Sequence, residues 1–315
     1  MKRRKIIPEK PKALREGSRI ALFSTASPPD RAAVLAGAAE LQRLGFDVKL
    51  PPERESLGYF ASAHEIRVQD FCDAVHDKKV DGLIATRGGY GSNYLIDERL
   101  ATRLHGPKAL IGFSDFSVIQ TLMWQVRHWV SFYGPMAASG FHKGPGMEGG
   151  YDENSFLSAI RNTSKGWKVD LAGEPLVPGK AEGRVVGGCL TLLQTSLGTN
   201  WELDAREAIL LLEDRGMKPY QLDRALRHLQ QAGQFERVAG VILGDFPDCE
   251  PPVAGSPTVR EVCERILAPL RVPVVYGAPV GHTGHPILTI PLGVRARLMA
   301  EGRGTLEFLE PAVTV

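Results

Sequence analysis

From Arg19 to Tyr133 short apolar runs alternate with longer segments whose apolar residues recur three and four positions apart. The short runs, Arg19–Ser24, Phe46–Leu50, Val80–Thr86, Lys108–Phe113 and Trp129–Tyr133, predict strands. The turn Ser27-Pro28-Pro29-Asp30 can cap a helix over Arg31 to Leu44, which Gly45 stops. Ser62-Ala63-His64-Glu65 has the capping-box form and leads into a helix through Val75. Further helices are predicted from Ser92 and over Val118 to Arg127. Strands separated by helices of this length imply parallel βαβ units.

The pattern then lapses into Gly, Pro and charge between Gly140 and Gly183, apart from one short predicted helix near Asn154–Arg161. Beyond it, strands are predicted at Gly183–Gly188, Ala208–Leu212, Val238–Gly244 and Val272–Tyr276, and helices at Leu190–Leu197, Pro219–Gln231 and Val259–Leu270. The end, Leu288 to Leu309, is β-rich, with turns at Gly293 and Gly302-Arg303-Gly304. The expected fold is α/β. An N-terminal parallel-sheet βαβ domain (1–160) is joined by a linker (161–182) to a mixed, more antiparallel α/β domain (183–315) with a β-rich end.

Composition narrows the function classes. The 315 residues, 43% hydrophobic and 23% charged, are ordinary for a globular protein of one large or two smaller domains. A formal net charge of +2 gives no argument for nucleic-acid binding. Lys2, Arg3, Arg4 and Lys5 form a basic start, but Pro8, Lys10, Pro11 and Lys12 interrupt any signal-peptide core, and no run reaches transmembrane length. No membrane or nucleic-acid partner is expected. Cys72, Cys189, Cys249 and Cys263 lack C-x-x-C spacing, which fits a reduced, cytoplasmic compartment.

In parallel sheets, ligand sites gather at the carboxyl ends of strands. One such end is Ile111-Gly112-Phe113-Ser114-Asp115. A serine at a sharp strand-to-helix turn exposes its hydroxyl and aims a backbone N–H into the same space. Ser and Asp are also ordinary helix caps, so the segment alone allows both readings. A second end is Glu213-Asp214, which is either a first-turn helix partner or a functional acid. A third is Gly281-His282, in a Gly/Pro-rich loop running through Gly284-His285-Pro286. Together these supply a nucleophile, an acid and a base. Serine needs a base near neutrality to attack an amide, and a carboxylate on the other ring nitrogen fixes the histidine tautomer.

Arg87-Gly88-Gly89-Tyr90-Gly91 ends another strand. It lacks the spacing of a phosphate-cradling loop, and its glycines could instead turn an N–H toward Ser114, beside that of Asp115, as an oxyanion hole. A metal site from His282 and His285 with Asp214 or Glu213 is the weaker alternative, because H-x-x-H in a Gly-rich loop holds no two side chains on one face. No metal and no cofactor is expected.

These residues together resemble the LD-carboxypeptidase family, the muramoyltetrapeptide carboxypeptidases. The resemblance runs through Arg87-Gly88-Gly89-Tyr90-Gly91-Ser92, Gly112-Phe113-Ser114-Asp115, Gly134-Pro135, Gly187-Gly188, Leu212-Glu213-Asp214, Pro219-Tyr220, Asp223-Arg224, Gly281-His282 and Pro291-Leu292-Gly293. It implies Ser114 as nucleophile, Glu213 as orienting acid and His282 as base. It also implies an oxyanion hole from Asp115 and Gly88 or Gly89, and a homodimer that releases terminal D-alanine from cytoplasmic murein tetrapeptides. Arg87, Tyr90 and Arg215 are the candidate substrate contacts, with Arg87, Arg215 or another cationic side chain for the terminal carboxylate. Cys189 and Met217 depart from the family pattern, where Asn and Glu are usual. Asp223-Arg224 reads as a structural ion pair. The rivals are a peptidase cleaving a peptidyl-nucleotide antibiotic, and a non-catalytic small-molecule binding protein.

Overall fold

A computed structural model describes residues 6–96, 100, 103, 104 and 106–315. The basic start Lys2–Lys5 lies outside the described residues. In chain order the strands are β1 (Arg19–Phe23), β2 (Asp47–Lys49), β3 (Gly82–Ala85), β4 (Ala109–Gly112), β5 (Ser131–Tyr133), β6 (Lys168–Asp170), β7 (Glu174–Val177), β8 (Gly179–Cys189), β9 (Ala208–Glu213), β10 (Gly240–Leu243), β11 (Val274–Tyr276), β12 (Ile290–Leu292), β13 (Arg295–Ala300) and β14 (Thr305–Phe308). The helices are α1 (Arg31–Arg43), α2 (His64–His76), α3 (Ser117–Arg127), α4 (Glu153–Arg161), α5 (Leu190–Ser196), α6 (Pro219–Gln231) and α7 (Val259–Leu267).

The first sheet has the order β12-β5-β4-β3-β1-β2. β2, β1, β3, β4 and β5 pair in parallel, and β12 closes the edge antiparallel to β5. The order reverses between β1 and β3, which creates a crevice at the carboxyl edge. β3 and β4 are buried along their whole length, as their unbroken apolar runs require of strands covered on both faces.

The second sheet has the order β6-β14-β13-β8-β9-β10-β11-β7. Its centre, β8 to β11, is parallel, and both flanks are antiparallel. Alternation along β9 separates two cores: Ile209 and Leu211 join the core shared with the first sheet, while Leu210 and Leu212 face α5, α6 and α7.

Three expectations need correction. Residues 161–182 are not a bare linker, because β6, β7 and the start of β8 lie there. β6 and β7 are the two edges of the sheet, where Pro175 and half-exposed polar residues are tolerated, so their sequence looks like loop. The capping box at Ser62 does not form. The helix starts one residue late, with Ala63 at the cap, and the Ser62 carbonyl instead accepts from Arg67 Nε at 3.1 Å. From Ser92 the chain makes a 3₁₀ turn through Leu95, and the predicted continuation falls partly outside the described residues.

The carboxyl edges of the two sheets meet. A Cβ built on Gly188, at the end of β8, would stand 2.9 Å from Ser117 Oγ and 3.1 Å from Tyr133 Cε2. The next amide, Cys189 N–H, donates to Ser117 Oγ at 3.2 Å. This contact, which needs a glycine, brings the end of β8, and the end of β9 paired with it, to the start of α3.

Candidate active site

β4 ends at Gly112, and the chain reverses over Phe113 and Ser114 into a 3₁₀ turn that leads into α3. Ser114 has φ 62°, in the left-handed region. A non-glycine residue there costs about 1–3 kcal/mol and persists only where its surroundings enforce it. Gly112 helps to enforce it: a Cβ there would stand 2.8 Å from the Phe116 ring, which folds back over the strand end. Ser114 makes no cap bond, and neither Phe113 nor Phe116, the residues in the cap positions, makes one with its side chain. The helix-cap reading of Ser114 therefore falls away. Asp115 turns inward, accepting the Ser92 N–H at 2.8 Å, and burial raises its pKa.

Gly88 faces the serine. A Cβ on it would lie 2.7 Å from both Ser114 Cβ and Oγ and 3.4 Å from the Asp115 amide nitrogen. Gly89, with φ 115°, instead packs on Ser27, whose Oγ accepts the Tyr90 N–H at 3.1 Å. The buried Arg67 holds the far side of this loop, donating to the carbonyls of Thr25 and, at 2.8 Å, Gly91. The sequence reading missed Arg67. A helix-borne arginine reads as surface, and only its burial marks it.

Gly88→Ala is therefore expected to cut turnover about 10²-fold or more, because its methyl must displace the serine or the loop. Steady-state kinetics on the folded variant check this, and an unchanged kcat would contradict it.

Glu213, the last residue of β9, is fully buried. Its Oε2 accepts both the backbone N–H of His282 at 2.9 Å and Nδ1 of the same residue at 2.8 Å. Gly281 permits the approach with φ 65°, since a Cβ there would collide with the Glu213 carboxyl. Burial opposes ionisation of Glu213, but the charge and hydrogen bonds of His282, with the Tyr133 hydroxyl, hold its pKa below the usual carboxylate range. Burial likewise works to lower the His282 pKa, and the Glu213 carboxylate outweighs it, so the net shift is upward. The Phe113 ring, adjacent to Ser114, meets the His282 ring edge-on at 5.1 Å.

Tyr133, at the end of β5, donates its O–H to Glu213 Oε1, and its Oη accepts the Ser114 N–H at 3.4 Å. Nothing in the sequence distinguishes this tyrosine from a core aromatic. Asp214 turns away to Thr191, accepting from its N–H and Oγ1 at 2.8 and 2.7 Å. His285 N–H is taken by Thr283 Oγ1 at 3.0 Å. Among the described residues no three His, Cys, Asp or Glu side chains converge as a metal site.

The outer contacts separate. Arg215 is ion-paired with Asp248 at 2.7 Å. Arg87 is exposed and donates only to the carbonyls of Gly88 and Pro28, at 3.2 and 3.4 Å. Tyr90 is 42% exposed and joins Tyr59, Phe60 and Tyr94 in an aromatic cluster with ring centroids 4.4–6.0 Å apart. Asp223 pairs with Arg265 of α7, so the expected Asp223–Arg224 pair is corrected: neighbours on a helix point apart, whereas α7 lies alongside. Cys189 is buried, and Met217 packs on the second core. A separate cleft of about 580 Å³ beside β1 and β2 brings no nucleophile and base together. Of its lining charges, Arg54, Asp70, Lys49, Arg31 and Glu53 are tied up in the pairs Arg54–Asp70, Lys49–Asp77 and Arg31–Glu53, and Asp73 accepts from Gln69.

Comparison with known proteins matches two family models, the LD-carboxypeptidase N-terminal domain over residues 20–134 and the LD-carboxypeptidase C-terminal domain over residues 182–298. A probable murein peptide carboxypeptidase of Bacillus subtilis is 32% identical over 297 residues, 92% of this chain and 91% of that protein. The microcin C7 self-immunity protein MccF of Escherichia coli is 28% identical over 320 residues, covering 89% and 90%. Among solved structures, muramoyltetrapeptide carboxypeptidase from Oxalobacter formigenes superposes with a TM-score of 0.79 at 28% identity, over 92% of this chain and 98% of that one.

Proposed function

The chain belongs to the LD-carboxypeptidase family, and from that premise we propose that it is a serine carboxypeptidase releasing terminal D-alanine from murein tetrapeptides. The observation that carries the reading is the buried Glu213 bound to His282 Nδ1, with the imidazole edge-on to Phe113 next to a serine in a left-handed turn. In this mechanism His282 Nε2 takes the Ser114 proton as Oγ attacks the carbonyl of the L,D-peptide bond. The oxyanion is stabilised by the N–H groups of Asp115 and of Gly88 or Gly89. His282 then protonates the departing D-alanine amine, and water, activated by the same imidazole, hydrolyses the acyl-serine. Gly88 is favoured over Gly89 as the second donor because Gly88 abuts Ser114 and Gly89 abuts Ser27.

The substrate's terminal carboxylate is assigned to Arg87, because Arg215 already has Asp248 as counter-ion. Tyr90 and its aromatic neighbours form a wall beside that loop. The protein would act in the cytoplasm, which fits four buried cysteines without C-x-x-C spacing, and as a homodimer, as the family resemblance implies. No helix among the described residues is long and apolar enough to cross a membrane.

The test is incubation with a murein tetrapeptide and, separately, a peptidyl adenylate. Release of free D-alanine from the first supports the reading. Turnover of the second alone would transfer the protein to the rival reading, a peptidase cleaving a peptidyl-nucleotide antibiotic, with which the similarity to a microcin C7 self-immunity protein is consistent.

The pH profile follows from the pair. Only neutral His282 can accept the serine proton, and its pKa lies above its ordinary 6.5. Activity is thus full above that raised value and falls about tenfold per pH unit below it. The acid limb of kcat/KM is expected to have its midpoint above 6.5; a midpoint below that value contradicts the assignment.

A further inference from the structure

We propose that Tyr133 is a positioning residue for this reaction, one whose hydroxyl sets the charge and orientation of Glu213 while bracing the turn that carries Ser114. The inference rests on the serine-hydrolase reading above but is independent of which peptide is cleaved. Tyr133 is fully buried, with its ring edge-on to Phe113 at 6.2 Å and against Gly188. Its oxygen accepts the Ser114 N–H at 3.4 Å. An ionised carboxylate can only accept and the Ser114 amide can only donate, so the phenolic proton points at Glu213 Oε1. Burial, reinforced by the neighbouring carboxylate, keeps that phenol protonated far above neutral pH, so it is a permanent donor.

The division of labour on Glu213 follows. Oε2 is occupied by the two N–H groups of His282, and Oε1 by Tyr133. A buried carboxylate that loses one such partner holds its remaining proton donor more tightly. The other charged or titratable groups acting on the pair are Asp214, Arg215, Cys189 and Asp245. None of these donates to Oε1. Removing the Tyr133 hydroxyl therefore makes the His282–Glu213 pair bind its shared proton more strongly as a unit, and the acid limb moves to higher pH. It also unties Ser114 from the acid it works with, across the junction of the two sheets.

The experiment measures the rate at which a fluorophosphonate acylates Ser114, across pH, in wild type, Tyr133→Phe, Glu213→Ala and the double variant. Tyr133→Phe is expected to acylate about 10- to 100-fold more slowly, with its acid limb moved upward. In the Glu213→Ala background the same change should slow acylation little further, because its target is gone. A Tyr133→Phe protein with wild-type rate and an unmoved acid limb overturns the inference. So does a double variant in which the two losses multiply in full. If Tyr133→Phe folds poorly, rates are taken at the temperature where circular dichroism shows it folded, and the pH midpoint, which does not depend on the active fraction, decides. A wild type that fluorophosphonate never acylates would instead overturn the underlying serine-hydrolase reading, and the role of Tyr133 with it.

Discussion

Ser114→Ala is expected to lower kcat for D-alanine release by about 10⁵-fold or more while leaving the fold and the peptide affinity intact. The chemistry has no substitute for the hydroxyl, since neither Asp115 nor Ser117 is free to replace it. The Asp115 carboxylate is turned to Ser92, and Ser117 Oγ accepts from Cys189. The fold loses little, because Ser114 makes no side-chain cap bond and alanine meets the same left-handed penalty that serine already bears at φ 62°. Release of D-alanine, thermal midpoint and peptide affinity, measured together on both proteins, check the prediction. Turnover by the variant within tenfold of wild type would contradict it. A wild type that binds the peptide without turnover would favour the non-catalytic binding protein.

Glu213→Ala is the second large effect, with kcat expected to fall by about 10⁴-fold and stability by about 2–4 kcal/mol. Both losses come from one cause. The Tyr133 hydroxyl, the His282 amide and His282 Nδ1 all lose their acceptor at a fully buried position. The rate falls less than for the serine because the imidazole remains beside Phe113 and the oxyanion donors are untouched. The residual activity carries a further signature. Burial lowers the His282 pKa and Glu213 raises it, so without Glu213 burial prevails over the weaker raising effect of Asp214. The acid limb should therefore move to lower pH, opposite to the shift expected for Tyr133→Phe. An acid limb unchanged in Glu213→Ala would mean that the carboxylate does not govern the histidine.

Most of the framework is legible in the residues. The unbroken apolar runs at Val80–Thr86 and Ala208–Leu212 announce buried central strands, and both strands end at site residues. Their ends point to Gly88 and Glu213 because parallel sheets gather ligands at the carboxyl edge. The edges of the second sheet were illegible for the opposite reason. β6 and β7 are short and half-exposed, β7 carries Pro175 and Gly173 and Gly179 flank it, so no periodicity survives in 161–182. The nucleophile needed three-dimensional information, since serine at a cap and serine at an elbow have the same sequence and differ by the sign of φ at Ser114. Tyr133 and Arg67 were invisible for a further reason: each works through a contact with a residue distant in sequence, Tyr133 with Glu213 and Arg67 with Gly91 and Thr25. Arg87 and Arg215 are equivalent in the sequence, and only the packing of Asp248 against Arg215 separates them.

The most direct measurement of the central claim is site mapping of a serine-directed acylating probe by peptide mass spectrometry, with and without a murein tetrapeptide present. The account predicts a single label, on the peptide that carries Ser114, lost in Ser114→Ala and suppressed by the tetrapeptide. A label on another residue, or D-alanine release by a protein whose Ser114 never reacts, would contradict it.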